Sequence, residues 1–205
     1  MSGLREKQKA DRERRILQAA VAQFRAVGYR GVRIEDLAAE ADVSVGTVYN
    51  YFRNKGDILI AIVALEVEEV LVSGAALVAA PPKGVDRAIL ALIFAYYDHS
   101  LNYLSKEMWR CAMALSIETP NTPNGQRYTT LDRQLSRQVT ELIRALQRRQ
   151  EIKPELDADA VGQLLFSSLN QIFIEFIKDD AMNLQDLRAG VARQIRPLLQ
   201  ALTSS

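Results

Sequence analysis

Apolar residues recur every three or four positions along almost the whole chain, and no stretch alternates in the manner of a strand. That period predicts an all-α protein of about nine helices. Residues 11–27 place Ile16, Ala20, Phe24 and Val27 on one face. Ile34, Leu37, Ala38 and Ala41 make a second, shorter face, and Val48 and Phe52, one turn apart, a third. A long helix is expected over 55–79, ended by Pro81-Pro82, since proline cannot continue a helix and restricts the residue before it. Helices over 85–104 and 106–117 carry Phe94, Tyr96, Tyr97, Tyr103 and Trp109. Residues 118–127, rich in Pro and Asn, read as a loop. Helical spacing returns over 129–150 through Leu131, Leu135, Val139, Leu142, Ile143 and Leu146. In the helix expected over 157–178, Val161, Leu164, Leu165, Ser168, Leu169, Ile172, Phe173, Phe176 and Ile177 follow one stripe. Phe166 and Ile174 lie off it, so this helix calls for a second partner surface. A final helix over 183–202 begins at Asn183 as cap with Asp186 three residues on. It aligns Leu184, Leu187, Val191, Ile195, Leu198 and Leu202, and is expected to kink at Pro197.

The span from Gly28 to Asp57 carries the most specific chemistry. Glu35 and Asp36 stand in the first turn of a short helix, where the dipole favours acids. Asp42 sits where the chain must turn sharply, and Asp tolerates the left-handed conformation better than most non-glycine residues. Ser44 is a suitable N-cap for a second short helix anchored by Val48 and Phe52. The remaining face of that helix holds Val45, Gly46, Thr47, Tyr49, Asn50 and Tyr51. So short a helix depends on packing for its stability, which leaves its polar face free for another surface. Two helices joined by a tight turn, the second polar and rich in hydroxyls, form a helix-turn-helix whose second helix enters a DNA major groove.

These residues resemble the DNA-binding segment of the TetR family of transcriptional regulators. The family pattern is a GY-type turn containing an aromatic, a short helix ending in IA, a turn ending in VS, then GT-hydrophobe-Y-x-Y/H-F and SK. This chain supplies Gly28-Tyr29, Leu37-Ala38, Val43-Ser44, Gly46-Thr47-Val48-Tyr49, Tyr51-Phe52 and Asn54-Lys55. It departs from the pattern in three places. Arg33 replaces the usual Thr or Ser before the first helix of the pair, and loss of such a cap costs about 1 kcal/mol unless another group compensates. Arg33 could reach a phosphate instead. Asp42 stands where the turn usually has Gly, which implies mild strain. Val45 follows the capping Ser where a basic or bulkier residue is common, and offers only apolar contact, for instance to a thymine methyl.

Composition sharpens this reading. Net charge is +1, yet residues 1–56 hold 11 Lys or Arg against 7 Asp or Glu, and residues 57–205 hold 15 against 18. Positive charge gathers in the segment that would meet phosphate. Arg5, Lys7 and Lys9 form a basic arm, either a solvated terminus or a further contact to DNA. No stretch reads as long and apolar enough to span a bilayer, and residues 1–10 are charged rather than signal-like, so a cytoplasmic protein is expected. One cysteine, Cys111, excludes an internal disulfide framework and a multi-thiolate metal site. His99 is the only histidine, and no glycine elbow, phosphate loop or metal-spaced ligand set accompanies it. No catalysis, cofactor or metal is expected.

The resemblance implies a domain over 1–56, with basic arm and three-helix DNA-binding module, and a helical effector-binding and dimerisation domain over 57–205. It implies a ligand-responsive regulator, a repressor by preference, that binds a near-palindromic double-stranded operator as a homodimer. The alternative is an all-helical dimeric adaptor or enzyme that keeps the fold without regulating DNA. Thr47, Tyr49, Tyr51 and Lys55 are expected to hold the phosphate backbone, joined by Arg33. Ser44, Val45, Gly46 and Asn50 face the groove, with Asn50 the base reader because its amide both donates and accepts. A small, apolar or aromatic effector is expected among Phe94, Tyr97, Trp109, Met113, Phe166 and Phe173. Dimer contacts are expected at Leu165, Leu169, Ile172, Phe176, Val191, Ile195 and Leu198.

Overall fold

The protein is seen as a computed structural model, which describes residues 2–203. Among them are nine α-helices: α1 Ser2–Val27, α2 Ile34–Glu40, α3 Val45–Tyr51, α4 Lys55–Ala79, α5 Val85–His99, α6 Lys106–Glu118, α7 Pro123–Arg148, α8 Ala158–Lys178 and α9 Leu184–Leu202. The only extended pairing among the described residues is an isolated bridge between Ile152 and Thr203.

Several helix ends differ from the periodicity: α5 stops at His99 rather than 104, so Tyr103 lies outside it, and three others each have a local reason. The basic arm is not a separate tail, since α1 runs from Ser2. The expected loop over 118–127 is shorter: α7 starts at Pro123, whose fixed φ suits the first helical position, while the hydroxyl of Thr122 accepts from the Gly125 amide at 3.3 Å. Val27, on the α1 stripe by spacing, is 61% exposed, because Gly28 (φ 82°) ends the helix there and swings the chain away. Asp42 has φ 51°, the left-handed conformation expected of it.

The chain divides into two compact units. The first comprises Met1–Leu65 with Asn102–Tyr128, hence α1 to α3, the start of α4, α6 and the first turns of α7. The second comprises Glu66–Leu101 with Thr129–Ser205. The division falls inside α4 and α7 because both are continuous helices and α6 folds into the unit that holds the N-terminal helices.

In the first unit Ile16, Ala20 and Phe24 of α1, Leu37 of α2, Val48 of α3 and Ile58, Leu59 and Ile62 of α4 are all buried. Leu104, just before α6, and Met108, in its first turn, are buried with them. In the second, α8 and α9 bury Leu165, Leu169, Phe173, Phe176, Leu187, Val191 and Ile195. Two close helix approaches depend on glycine. A Cβ on Gly74 would lie 2.2 Å from Gln138 Oε1, and one on Gly162 2.2 Å from Thr140 Oγ1. Through the first approach a buried chain of bonds runs from the Tyr96 hydroxyl to Gln138 Oε1 (2.5 Å) and from Gln138 Nε2 to the Leu71 carbonyl (2.8 Å).

α8 corrects one expectation from the sequence. Its 21 residues, with mean hydropathy 1.3 over the most apolar stretch, are long and apolar enough to cross a membrane, and 39% of that stretch is buried inside the protein. Most residues expected at a dimer contact belong to the core of the single chain. Leu165, Leu169, Phe176, Val191 and Ile195 are each 2% exposed or less. Ile172 and Leu198 are half-buried. A helix apolar on more than one side buries its widest stripe inside its own protomer first.

Candidate nucleic-acid interface

α3 is built locally. The Ser44 hydroxyl accepts from the Thr47 amide at 3.0 Å and stands 2.8 Å from the Thr47 hydroxyl, so one cap orders two polar side chains. Val48 (0% exposed) and Phe52 (5%) turn inward. That leaves Gly46 and Asn50 exposed, Val45, Thr47 and Tyr51 half-buried, and Tyr49 with 50% of its surface open. Gly46 is not required by the fold: a Cβ there would meet only Ser44 Oγ, at 3.9 Å. Glycine inside a helix is unfavourable by about 0.5–1 kcal/mol relative to alanine, so its presence on this open face points to something outside the chain that must come close.

The turn before α3 is held from α1. Arg15 donates to the Ala41 carbonyl at 3.0 Å, satisfying the end of α2, and lies 3.9 Å from the Asp42 carboxylate. The missing cap at Arg33 is replaced by half of a reciprocal arrangement. A guanidinium has only donors, so it cannot cap the helix amides. Asp36 instead accepts from the Arg33 amide at 3.1 Å and from its guanidinium at 3.3 Å, bonds that hold the Asp36 carboxyl below the ordinary carboxylate range. Arg33 remains 74% exposed at the start of α2.

Lys55 makes its contacts within the protein. Its ammonium donates to the carbonyls of Arg30 (3.1 Å) and Val32 (2.8 Å) and lies 4.8 Å from the centre of the Tyr29 ring. Partial burial lowers its pKa. Lys55 clamps the loop between α1 and α2, and Tyr29 completes the clamp by packing edge-on against Phe24 (5.1 Å between centroids). Burial pushes the Tyr29 hydroxyl up to about 12, so it stays protonated. Neither role was visible in the sequence, where the family pattern drew attention to Lys55 for its charge alone.

The six aromatic and apolar residues expected around an effector are divided between the two units. Trp109, buried, and Met113, half-buried, belong to the first unit; Phe94, Tyr97, Phe166 and Phe173 belong to the second. Tyr97 and Phe173 stack nearly parallel, 5.6 Å apart, and the Tyr97 hydroxyl donates to the Leu169 carbonyl at 2.8 Å. Phe94 lies 5.0 Å from the Arg188 guanidinium, which also pairs with Asp98. His99 sits between two carboxylates of α4, with Nδ1 2.6 Å from Glu66 and Nε2 3.0 Å from Glu69. Cys111 is half-buried, and burial raises its thiol pKa.

Comparison with known proteins agrees with this geometry. Residues 16–62 match the family described as bacterial regulatory proteins, tetR family. The HTH-type transcriptional repressor KstR of Rhodococcus jostii is 40% identical over 60 residues, which are 29% of this chain and 28% of that protein. The match thus spans little more than a quarter of the relative's length. Among solved structures, a TetR-family transcriptional regulator from Pectobacterium atrosepticum superposes with a TM-score of 0.76 at 19% identity, covering 97% of each chain. The regulator FadR from Bacillus subtilis, in complex with stearoyl-CoA, superposes at 0.66 and 20% identity over 87% of this chain and 95% of that one.

Proposed function

With an N-terminal segment that matches the tetR family model and a helical fold shared with solved regulators, we propose that this chain is a ligand-responsive transcriptional repressor. It binds a near-palindromic operator as a dimer and releases it when a small molecule binds. The observation that carries the reading is the outward face of α3, where an open Gly46, an exposed Asn50 and a half-exposed Tyr49 have no part in the core. In this reading Thr47, Tyr49 and Tyr51 hold the phosphate backbone, Asn50 reads a base edge, and Ser44, Val45 and Gly46 line the approach. Arg33, open at the start of α2, adds a phosphate contact. Lys55 positions the loop that supports the motif rather than touching DNA. The protein works in the cytoplasm, where its DNA is.

Dimerisation passes to the flanks of α8 and α9 that the protomer leaves open. Val161, Leu164, Ser168 and Ile172 share one side of α8, with Leu164 57% exposed. Gly190, Gln194, Pro197 and Ala201 share one side of α9, and a Cβ on Gly190 would meet nothing within 4 Å. A small-residue flank beside an apolar one suits close packing of two helix pairs about a two-fold axis. The effector is apolar or aromatic and enters the second unit near Phe94, Tyr97, Phe166 and Phe173. Binding there has to part the Tyr97–Phe173 stack. A TetR-like fold that holds stearoyl-CoA supports an apolar ligand of some length.

The test is selection of duplexes from a random pool by the intact protein, followed by titration of the enriched sequence. Asn50→Ala should weaken that sequence by about 5- to 150-fold and relax the preference at one base pair. Tyr51→Ala should weaken all sequences alike. Failure of the parent protein to enrich any sequence at low salt ends the proposal.

A further inference from the structure

One carboxylate in the first unit joins the exit of α3 to the beginning of α7. Asp57, in the first turn of α4, uses both of its oxygens. Oδ2 accepts from the Arg53 amide at 2.8 Å, and Oδ1 accepts from the Asn124 side-chain amide at 2.8 Å. The Asp57 amide donates in turn to Asn54 Oδ1 at 3.0 Å, so the short link from α3 to α4 is fixed at three points. The approach is close. A Cβ on Gly56 would lie 2.9 Å from Asn54 Oδ1 and 3.4 Å from both Asn124 Nδ2 and a methyl of Leu115. A Cβ on Gly125 would lie 2.4 Å from the Thr119 carbonyl, so the turn before α7 is equally tight. Beside this contact opens a cleft of about 630 Å³, lined by Tyr51, Arg53 and Asn54 on one side and Thr119, Asn124 and Arg127 on the other.

Capping α4 needs only Asn54 and Asp57, which are local. Asn124 comes from 67 positions away, and because it is half-buried, water could satisfy its amide. The bond therefore adds a positional constraint on α3 that the cap does not require. α7 continues past Tyr128 as one helix, so Asn124 stands in the first turn of a long element.

We propose that Asp57 and Asn124 form a latch through which the first turn of α7 sets the pose of α3, and so the affinity for DNA. Both are positioning residues and neither meets DNA. The inference rests on the DNA-binding reading above.

The test uses three variants of the full chain and the duplex enriched by the parent protein. Asn124→Asp places a second carboxylate against Asp57 and should weaken that duplex by about tenfold or more. Asp57→Asn keeps an acceptor for the Arg53 amide and should lose less. The double variant restores a donor–acceptor pair with the roles exchanged, since Asn at 57 donates to Asp at 124, and should return within about twofold of the parent. Two independent injuries would add instead of cancelling. Parent-like affinity of Asn124→Asp, or a double variant no better than its singles, overturns the latch. Amide hydrogen exchange reads the same constraint without DNA. Amides from 45 to 53 should exchange faster in Asn124→Asp, recover in the double variant, and leave those of Ile16 to Phe24 unchanged. Unchanged exchange at 45–53 overturns the latch even if DNA affinity falls. Should the parent enrich no duplex, the DNA reading fails while the exchange result still decides the mechanical contact.

Discussion

The α2–α3 motif and the α8–α9 pair use helix surface in opposite ways. In the motif each seven-residue helix turns only one or two large side chains inward, Val48 and Phe52 around α3, and leaves its polar face open. In the pair, the apolar stripes are wide, and the protomer itself buries most of them. A polar face on a short, anchored helix stays open to solvent and to a partner alike, because nothing in the core needs it. A wide apolar stripe does not, since the helix's own protomer competes for it. Reading both by the same rule found the open face of α3 but did not show that five residues expected at a dimer contact are buried within the single chain.

Substitutions can break or sharpen that contrast. The largest effect is expected at Phe176, fully buried on α8. Phe176→Ala should reduce unfolding free energy by about 3–5 kcal/mol in denaturant titration, and a loss under about 1 kcal/mol would mean that the stripe is not core. Asp132, on α7 in the second unit, comes next. Burial raises its carboxyl from an ordinary 3.8 to about 6. The folded state thus favours the protonated acid. Its contribution is complete below pH 3.8 and is lost as pH rises through about 6, because the unfolded chain ionises first. Asp132→Asn should match the parent near pH 4 and exceed it by about 1–2 kcal/mol at pH 8, read as a higher Tm. A parent–variant difference that does not change with pH would refute this.

Gly46→Ala probes the other side of the contrast. It should stabilise the fold by about 0.5–1 kcal/mol, since the added methyl enters open space, and at the same time weaken DNA binding by obstructing a close backbone approach. A variant that is more stable and binds equally well would deprive Gly46 of its role. The smallest effect on folding belongs to Leu164. Leu164→Arg should shift stability by no more than about 0.5 kcal/mol, yet move the sedimentation equilibrium at micromolar concentration toward monomer. An unchanged dimer would direct attention to other surfaces.

Much of the site was legible because its determinants are short-range. Ser44 caps α3 through a residue three positions on, Asp42 adopts its left-handed turn alone, and Asn183 caps α9 within the same distance. The helices themselves were legible from period, with errors only at ends such as Val27 and Pro123, where a single glycine or hydroxyl decides. The internal contacts of Lys55 were not legible because its two carbonyl partners lie 23 and 25 positions away, and a lysine in sequence shows a charge but not where its protons go.

By itself the sequence determined an all-helical chain, the helix-turn-helix with its caps, and the face of α3 that stays open, since periodicity, capping and turn conformation act within about four residues. Only the tertiary structure decided which apolar surface the protomer keeps for itself. It also decided that α6 shares a unit with the N-terminal helices, and that Asn124 reaches Asp57 across 67 positions. Those outcomes depend on which distant elements meet, and pairing at long range leaves no local pattern from which to read it.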